Sequence, residues 1–268
     1  MIAALPGGHV PRFSANLSFL FQELPFLERF EAARRAGFEA VEFLSPYEHD
    51  AGALGALVRR LGLAVSVFNL PAGDWAKGDR GMACDPGRVA EFREGVDRAI
   101  ECARALGCAQ VHAMAGIRPA GATEAALRAT YVENLRFAAR ALSGSGLRLL
   151  VEAINPRDMP GYYLTTSRQA FDAIDAVGAP NLWFQYDVYH MQIVEGDLAP
   201  TLERRIGRIG HVQVADTPGR HEPGTGEINY RFLFRHLDRI GYRGWVGCEY
   251  RPLAGTEAGL GWIKETTA

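Results

Sequence analysis

One pattern recurs along the chain: an amphipathic stretch ends at a glycine, and an apolar run follows within a few residues. A glycine suits the position after a helix because that residue often needs a positive φ. The glycines are Gly37, Gly62, Gly107, Gly146, Gly178, Gly210 and Gly241. The strands predicted after them are Ala40–Phe43, Leu63–Phe68, Gln110–Met114, Leu147–Glu152, Leu182–Tyr186, His211–Val214 and Trp245–Glu249.

An opening strand at Phe13–Leu17 brings the number of predicted strands to eight, and helical patterns lie between them. Alternating strands and helices favour a parallel α/β fold, and about 250 residues are typical of a (β/α)₈ TIM barrel. An open doubly wound sheet would favour a glycine-rich turn after the first strand, but Ser18–Glu23 contains no glycine. We therefore predict an N-terminal extension over residues 1–11 and a single-domain barrel over residues 12–268.

Charge and composition exclude several classes of partner. The net charge of −2 gives no general attraction to nucleic acid or to an anionic membrane, and no apolar run is long enough to span a bilayer. The start of the chain is not typical of a signal peptide. The four cysteines lack the spacing of a metal site. We expect a cytoplasmic protein with no nucleic-acid or membrane partner, and leave open a homo-oligomer.

Oxygen-bearing side chains lie at four consecutive predicted strand ends, each about one βα unit from the next. They are Glu152, Asp187, Gln213 and Glu249. The C-terminal ends of barrel strands meet at one mouth, so these side chains are expected to converge there. Three carboxylates in a low-dielectric mouth would repel one another unless a cation lay between them. An all-oxygen set favours a hard divalent ion, Mg²⁺ or Mn²⁺.

Other polar residues lie near this mouth. Glu42 also follows an apolar run; it would either line the mouth or accept hydrogen bonds from neighbouring loops, and we favour the second interpretation. His190 lies three residues after Asp187 and is a candidate for substrate contact, whereas His112 is a weaker one. The long connection Leu70–Gly87 has the length and the mixed aromatic and charged content of a substrate loop or lid.

Several segments resemble the hydroxypyruvate isomerase family, within the xylose-isomerase-like barrels. The resemblance extends from Arg12 to Trp262 and rests on RFSANLSFLF, GFEAVEFLSPY, NLPAGDWAKGDRGMAC, YDVYHMQ, HEPGTGEINY and GWVGCEYRP. It implies an aldose–ketose isomerase that interconverts hydroxypyruvate and 2-hydroxy-3-oxopropanoate by metal-assisted proton transfer through an enediolate.

The resemblance also assigns roles to residues. The family's two catalytic glutamates match Glu152 and Glu249, and its metal-site positions match Glu152, Asp187, Gln213 and Glu249. Many related barrels have histidine where this chain has Gln213. The substrate is expected to be a small anionic hydroxy-keto acid, and the residues expected to bind it are His190, Arg220, His221, Lys77 and Arg80.

Other functions remain open from the sequence. The 2-oxo-tetronate isomerases share much of the same pattern, and another small keto-acid or sugar isomerase or epimerase would have a similar site. A metal-dependent DNA-cleaving barrel would need a basic face and a histidine-rich ligand set, and neither is evident. A barrel that only binds its ligand would not need both glutamates.

Overall fold

The computed structural model describes residues 11–267, so almost all of the predicted N-terminal extension lies outside the described residues. Eight parallel strands pair in chain order, and β1 pairs with β8 to close the barrel. This confirms the predicted fold. The strands are β1 Arg12–Asn16, β2 Ala40–Phe43, β3 Ala64–Asn69, β4 Gln110–His112, β5 Arg148–Glu152, β6 Leu182–Asp187, β7 Ile209–Val214 and β8 Trp245–Cys248.

Helices surround the barrel and connect its strands. They are α1 Phe26–Ala36, α2 Ala51–Leu61, α3 Val89–Leu106, α4 Glu124–Ser143, α5 Ser167–Val177, α6 Val188–Val194, α7 Leu198–Arg205, α8 Tyr230–Arg239, α9 Thr256–Gly259 and α10 Gly261–Thr267. Short 3₁₀ helices form at Trp75–Lys77 and Ile206–Arg208. Within the described part of the chain, none of these helices is both long and apolar enough to cross a membrane.

Six of the seven predicted junction glycines have positive φ, from 63° at Gly62 to 100° at Gly37. The prediction for Gly210 is wrong, because this residue lies inside β7. A Cβ atom there would come 2.8 Å from a methyl carbon of Leu150 and 3.1 Å from Cβ of Trp183. Gly210 is therefore suited to close packing between strands rather than to ending a helix.

The strand register brings polar side chains to one level of the barrel. Glu152 pairs with Gln185 across β5 and β6, and Asp187 pairs with Gln213 across β6 and β7. Strand β6 leads directly into α6, and the carboxylate of Asp187 caps that helix by accepting the backbone N–H of Tyr189 at 2.8 Å. A helix N-terminus favours such an acceptor, so this cap fixes one oxygen of Asp187.

Candidate active site

The C-terminal ends of the strands surround a cavity of about 240 Å³. Cavities for drug-sized ligands are commonly ~300–1,000 Å³, so this one suits a ligand of a few carbon atoms. Its wall is unusually polar for the interior of a barrel. The polar side chains from the strands and their ends include Asn16, Glu42, Glu152, Gln185, Gln213 and Glu249.

Glu152 ends β5, and only one of its two carboxylate oxygens accepts a hydrogen bond. Its Oε2 accepts a hydrogen bond from Nε2 of Gln185 at 3.0 Å, whereas its buried Oε1 has no hydrogen-bond partner. Burial raises the pKa of Glu152 well above its ordinary value, and the nearby carboxylates of Glu249 and Asp187 raise it further. A cation close to Glu152 would oppose this rise.

Asp187 shows the same division between its two oxygens. Its Oδ1 caps α6, and its Oδ2 has no hydrogen-bond partner and lies 3.5 Å from Nη2 of Arg220. Burial raises the pKa of Asp187 to about 6, although the positive charge of Arg220 opposes this rise. Asp187 lies next to Glu152 but is not part of the cavity lining.

Glu249 follows β8, and both of its carboxylate oxygens accept hydrogen bonds. Its Oε2 accepts from Nδ2 of Asn16 at 2.8 Å and from Nε2 of Gln213 at 2.6 Å, and its Oε1 accepts from Arg220. Burial raises the pKa of Glu249 to about 8, and Arg220 opposes that rise. Glu249 is thus held in one orientation from three sides.

Arg220 lies in the loop after β7 and has a left-handed backbone with φ of 59°. Its guanidinium stacks between the rings of Phe19 and Tyr189, at 4.8 and 5.1 Å from their centroids. Its Nη2 bonds to Glu249, while Nη1 is 3.9 Å from the nearest carboxylate oxygen, of Asp158. Nη2 of Arg220 therefore lies against the carboxylates of Glu249 and Asp187, whereas Nη1 is farther from any acid of the site.

His190 is buried in α6 with its tautomer fixed by a neighbouring amide. Oδ1 of Asn155 accepts the backbone N–H of Asp158 at 2.8 Å, so Nδ2 of Asn155 is the atom that donates to Nδ1 of His190 at 2.7 Å. Burial lowers the pKa of His190 well below its ordinary value, and Arg220 adds to this effect. A neutral ring that accepts at Nδ1 bears its hydrogen on Nε2, which lies 3.5 Å from Asp187 and 3.9 Å from Glu152.

The acidic side of the cavity fits a metal ion. Ligand atoms of Glu152, Asp187 and His190 lie within 4.8 Å of one another. Oε1 of Glu152 and Oδ2 of Asp187 are buried without a hydrogen-bond partner, and such an oxygen is costly. A cation would satisfy both oxygens. In the tautomer described above, His190 is a donor at Nε2 and would not itself bind the ion. The two other predicted ligands, Gln213 and Glu249, are instead hydrogen-bonded to each other.

The predicted substrate residues divide into two groups. Arg80 lines the cavity with Trp75, and its guanidinium stacks on that indole at 4.1 Å. His190 and Arg220 line it as well. Lys77 lies outside the lining, where its exposed Nζ pairs with Asp74 at 3.1 Å, and the ring of His221 bonds to the backbone oxygen of Arg251 at 2.8 Å. The long loop after β3 thus contributes one of its two predicted cations to the site.

Sequence reasoning placed Glu42 among hydrogen-bond acceptors, and the structure agrees. Glu42 is fully buried and accepts from His211 at 2.8 Å, Gln213 at 2.8 Å and Ser66 at 3.0 Å. Burial by itself would raise the pKa of Glu42, but His211 and these hydrogen bonds outweigh it and lower the pKa. Glu42 also lines the cavity, so both of the roles considered from the sequence apply.

Four polar residues near the site were not predicted from the sequence, and all but His211 line the cavity: Asn16, Gln185, His211 and Arg251. A signal for two of them was present. Residues two apart on a strand face the same side, so a polar side chain two positions before a predicted ligand also points inward. Gln185 precedes Asp187 in this way, and His211 precedes Gln213.

A closed parallel barrel with buried acids in a cavity at the C-terminal ends of its strands defines a TIM-barrel enzyme. A family model described as xylose isomerase-like TIM barrel matches residues 30–266, and the chain belongs to this family.

Three comparisons extend over nearly the whole chain. The chain is 54% identical to a 2-oxo-tetronate isomerase of Cupriavidus necator, covering 95% of this chain and 98% of the relative. It is 52% identical to the hydroxypyruvate isomerase of Escherichia coli, covering 94% and 98%. A crystal structure described as AP endonuclease, family 2, from Brucella melitensis is 48% identical with a TM-score of 0.93, covering 96% of this chain and all of that one.

Proposed function

We propose that this protein is a hydroxypyruvate isomerase. The observation that supports this most directly is the presence of two buried glutamates, Glu152 and Glu249, in one cavity of about 240 Å³. They come from strands three apart in a ring of eight, so they can approach a small substrate from two sides. The Escherichia coli relative with that name, 52% identical to this chain, supports the same reaction.

The reaction moves one hydrogen between neighbouring carbons. One glutamate removes a proton from C3 of hydroxypyruvate, and the electron pair of that bond forms the C2–C3 double bond of an enediolate. The other glutamate delivers a proton to C2. The hydroxyl on C3 gives up its proton as the aldehyde forms, and the oxygen on C2 takes up one proton to become a hydroxyl, so the protons balance. The product is 2-hydroxy-3-oxopropanoate, and no external oxidant or reductant is needed.

A divalent ion, Mg²⁺ or Mn²⁺, fits the free oxygens of Glu152 and Asp187, with Glu249 and Gln213 as the remaining predicted ligands. When bound, such an ion would polarise the substrate carbonyl and stabilise negative charge on its oxygen. Nε2 of His190 is a hydrogen-bond donor beside the same acids and is well placed to hold a substrate oxygen.

The substrate's carboxylate needs a cation on the cavity wall. Arg80 lines the cavity and donates to the backbone oxygens of Trp75 and Asp79. Arg220 is already paired with Glu249 through Nη2, so the nitrogen it can offer the substrate is Nη1, 3.9 Å from Asp158. Arg251 lines the same cavity. Lys77 and His221 lie outside that lining, so we expect them to contribute less to substrate binding.

A 2-oxo-tetronate isomerase is the second candidate, because the Cupriavidus necator relative with this name is 54% identical to the chain. The two activities differ in substrate length and are separated by comparing kcat/KM for hydroxypyruvate and 2-oxo-tetronate. Other keto-acid or sugar isomerisations and epimerisations use a similar site and belong in the same substrate panel. Cleavage of DNA is disfavoured, because the sequence shows neither the basic face nor the histidine-rich ligand set that it would need.

The test follows the purified protein with hydroxypyruvate by proton NMR. We expect the aldehyde product to form, activity to fall when a chelator removes bound metal, and Mg²⁺ or Mn²⁺ to restore it. A higher kcat/KM for 2-oxo-tetronate would transfer the proposal to the second candidate. Turnover of neither acid would refute both proposals.

A further inference from the structure

Two buried carboxamides join the two glutamates of the site. Nε2 of Gln185 donates to Oε2 of Glu152 at 3.0 Å and to Oε1 of Gln213 at 2.8 Å. Nε2 of Gln213 donates in turn to Oε2 of Glu249 at 2.6 Å and to Oε1 of Glu42 at 2.8 Å. Both hydrogens on each amide nitrogen are therefore used.

With Glu42, Glu152 and Glu249 ionised, these hydrogen bonds run in only one direction. If the Gln213 amide were reversed, its oxygen would face two carboxylates, Glu42 and Glu249. If the Gln185 amide were reversed, its oxygen would face Oε2 of Glu152 and Oε1 of Gln213. The present orientation leaves Oε1 of Gln185 buried without a hydrogen-bond partner, and an unpartnered buried acceptor costs stability. This orientation is still the more favourable one, because a reversed amide would place its oxygen against other hydrogen-bond acceptors.

Glu42, which lines the cavity, anchors these hydrogen bonds. It is held by Nε2 of His211 at 2.8 Å and by Oγ of Ser66 at 3.0 Å, and all three side chains are buried. Gly247 in β8 leaves the space for it, since a Cβ atom at that position would come 2.3 Å from Oε1 of Glu42. The anchor thus depends on a residue of a different strand having no side chain.

We propose that Gln185 is a positioning residue: with Gln213 it forms a carboxamide relay, anchored on Glu42, that fixes the orientation of both catalytic glutamates. The hydrogen bond from Gln185 directs Oε2 of Glu152 toward β6, so that Oε1 has no hydrogen-bond partner and can take or give a proton. This inference rests on the proposed function only in calling the glutamates catalytic. The hydrogen-bonded arrangement itself does not depend on the substrate.

The test replaces Gln185 by methionine, which has a similar length and shape but no N–H donor. Gln110→Met is the matched control. Gln110 is also a buried barrel residue, but its Nε2 donates to the backbone oxygen of Ser66 at 3.0 Å and contacts neither glutamate. We expect Gln185→Met to lower kcat about 10- to 100-fold, as for the loss of a hydrogen bond to a charged group, and to change KM much less. Gln110→Met should keep the kcat of the unmodified protein.

Melting temperatures and a crystal structure of Gln185→Met separate positioning from folding. We expect the two variants to melt at similar temperatures, and the Glu152 carboxylate to rotate from its present position only in Gln185→Met. If Gln185→Met does not fold, Gln185→Leu also removes the donor with a smaller side chain, and the same results are expected. An unmoved Glu152 with unchanged kcat, or an equal loss of kcat in both variants, would overturn the proposal. If the unmodified protein turns over neither acid, the proposed function fails while the crystal structure still tests the relay.

Discussion

At the scale of single residues, Glu152 and Glu249 are chemically alike but differently held. Glu152 accepts one hydrogen bond and has a free oxygen, whereas Glu249 accepts from Asn16, Gln213 and Arg220. Strand-end position predicted both residues, but their different surroundings come from partners on other strands. That difference matters because the ability of a carboxylate to take or give a proton depends on its hydrogen bonds and neighbouring charges.

The two-glutamate mechanism predicts that Glu152→Gln and Glu249→Gln each reduce kcat by at least ~10²-fold, the low end for general acid–base catalysis. Glu133→Gln, an exposed change on α4, is the control and should leave kcat unchanged. Turnover in D₂O should place solvent deuterium at C2 of the product. Unlabelled product, together with activity in both glutamine variants, would show that hydride transfer replaces the proposed route.

The loop after β3 allows a paired test of carboxylate recognition. Arg80 lines the cavity and Lys77 does not. A charge-assisted hydrogen bond contributes about 1.5–3 kcal/mol, so Arg80→Ala should raise KM for hydroxypyruvate about tenfold or more. Lys77→Ala should leave KM unchanged in the same steady-state assay. Equal effects of both changes would indicate a general electrostatic attraction rather than a contact of Arg80 with substrate.

At the scale of elements, the barrel is held in register by close contacts between neighbouring helices and strands. Helix α2 packs on α3 at Gly55, where a Cβ atom would lie 2.1 Å from the backbone oxygen of Ala105. The sequence predicted α2 from its amphipathic pattern before Gly62, but a glycine inside a helix is unfavourable in isolation. The packing of α3 explains why it is tolerated.

Gly55→Ala should therefore destabilise the protein, although alanine is the better helix former by about 0.8–1 kcal/mol. The methyl group would push α2 away from α3, and overpacking of this kind typically costs about 1–3 kcal/mol. Gly207→Ala is the control, because a Cβ atom there meets nothing within 4 Å. Urea denaturation should show a lower midpoint only for Gly55→Ala. A midpoint at or above that of the unmodified protein would contradict the packing argument.

At the scale of the whole molecule, the order of the strands around the barrel decides which distant residues meet. Glu42 from β2 touches His211 and Gln213 from β7, although they are far apart in the sequence and on strands that do not pair. Closure of the barrel by β1 and β8 makes this contact possible. An open sheet with the same strands would separate Asn16 from Glu249, which here lie 2.8 Å apart.

The sequence alone determined the repeating βα pattern, because hydrophobic periodicity and helix-ending glycines are local properties. It also determined that Glu152, Asp187, Gln213 and Glu249 stand at or beside the strand ends, because parallel strands share one C-terminal edge. It could not determine the direction of the Gln185 and Gln213 amides, nor the pairing of Arg220 with Glu249. Those depend on hydrogen-bond donors and charges from other strands, which meet only after the barrel closes. The prediction for Gly210 was wrong for the same reason. A glycine is needed there because Leu150 and Trp183, from other strands, leave no space for a side chain.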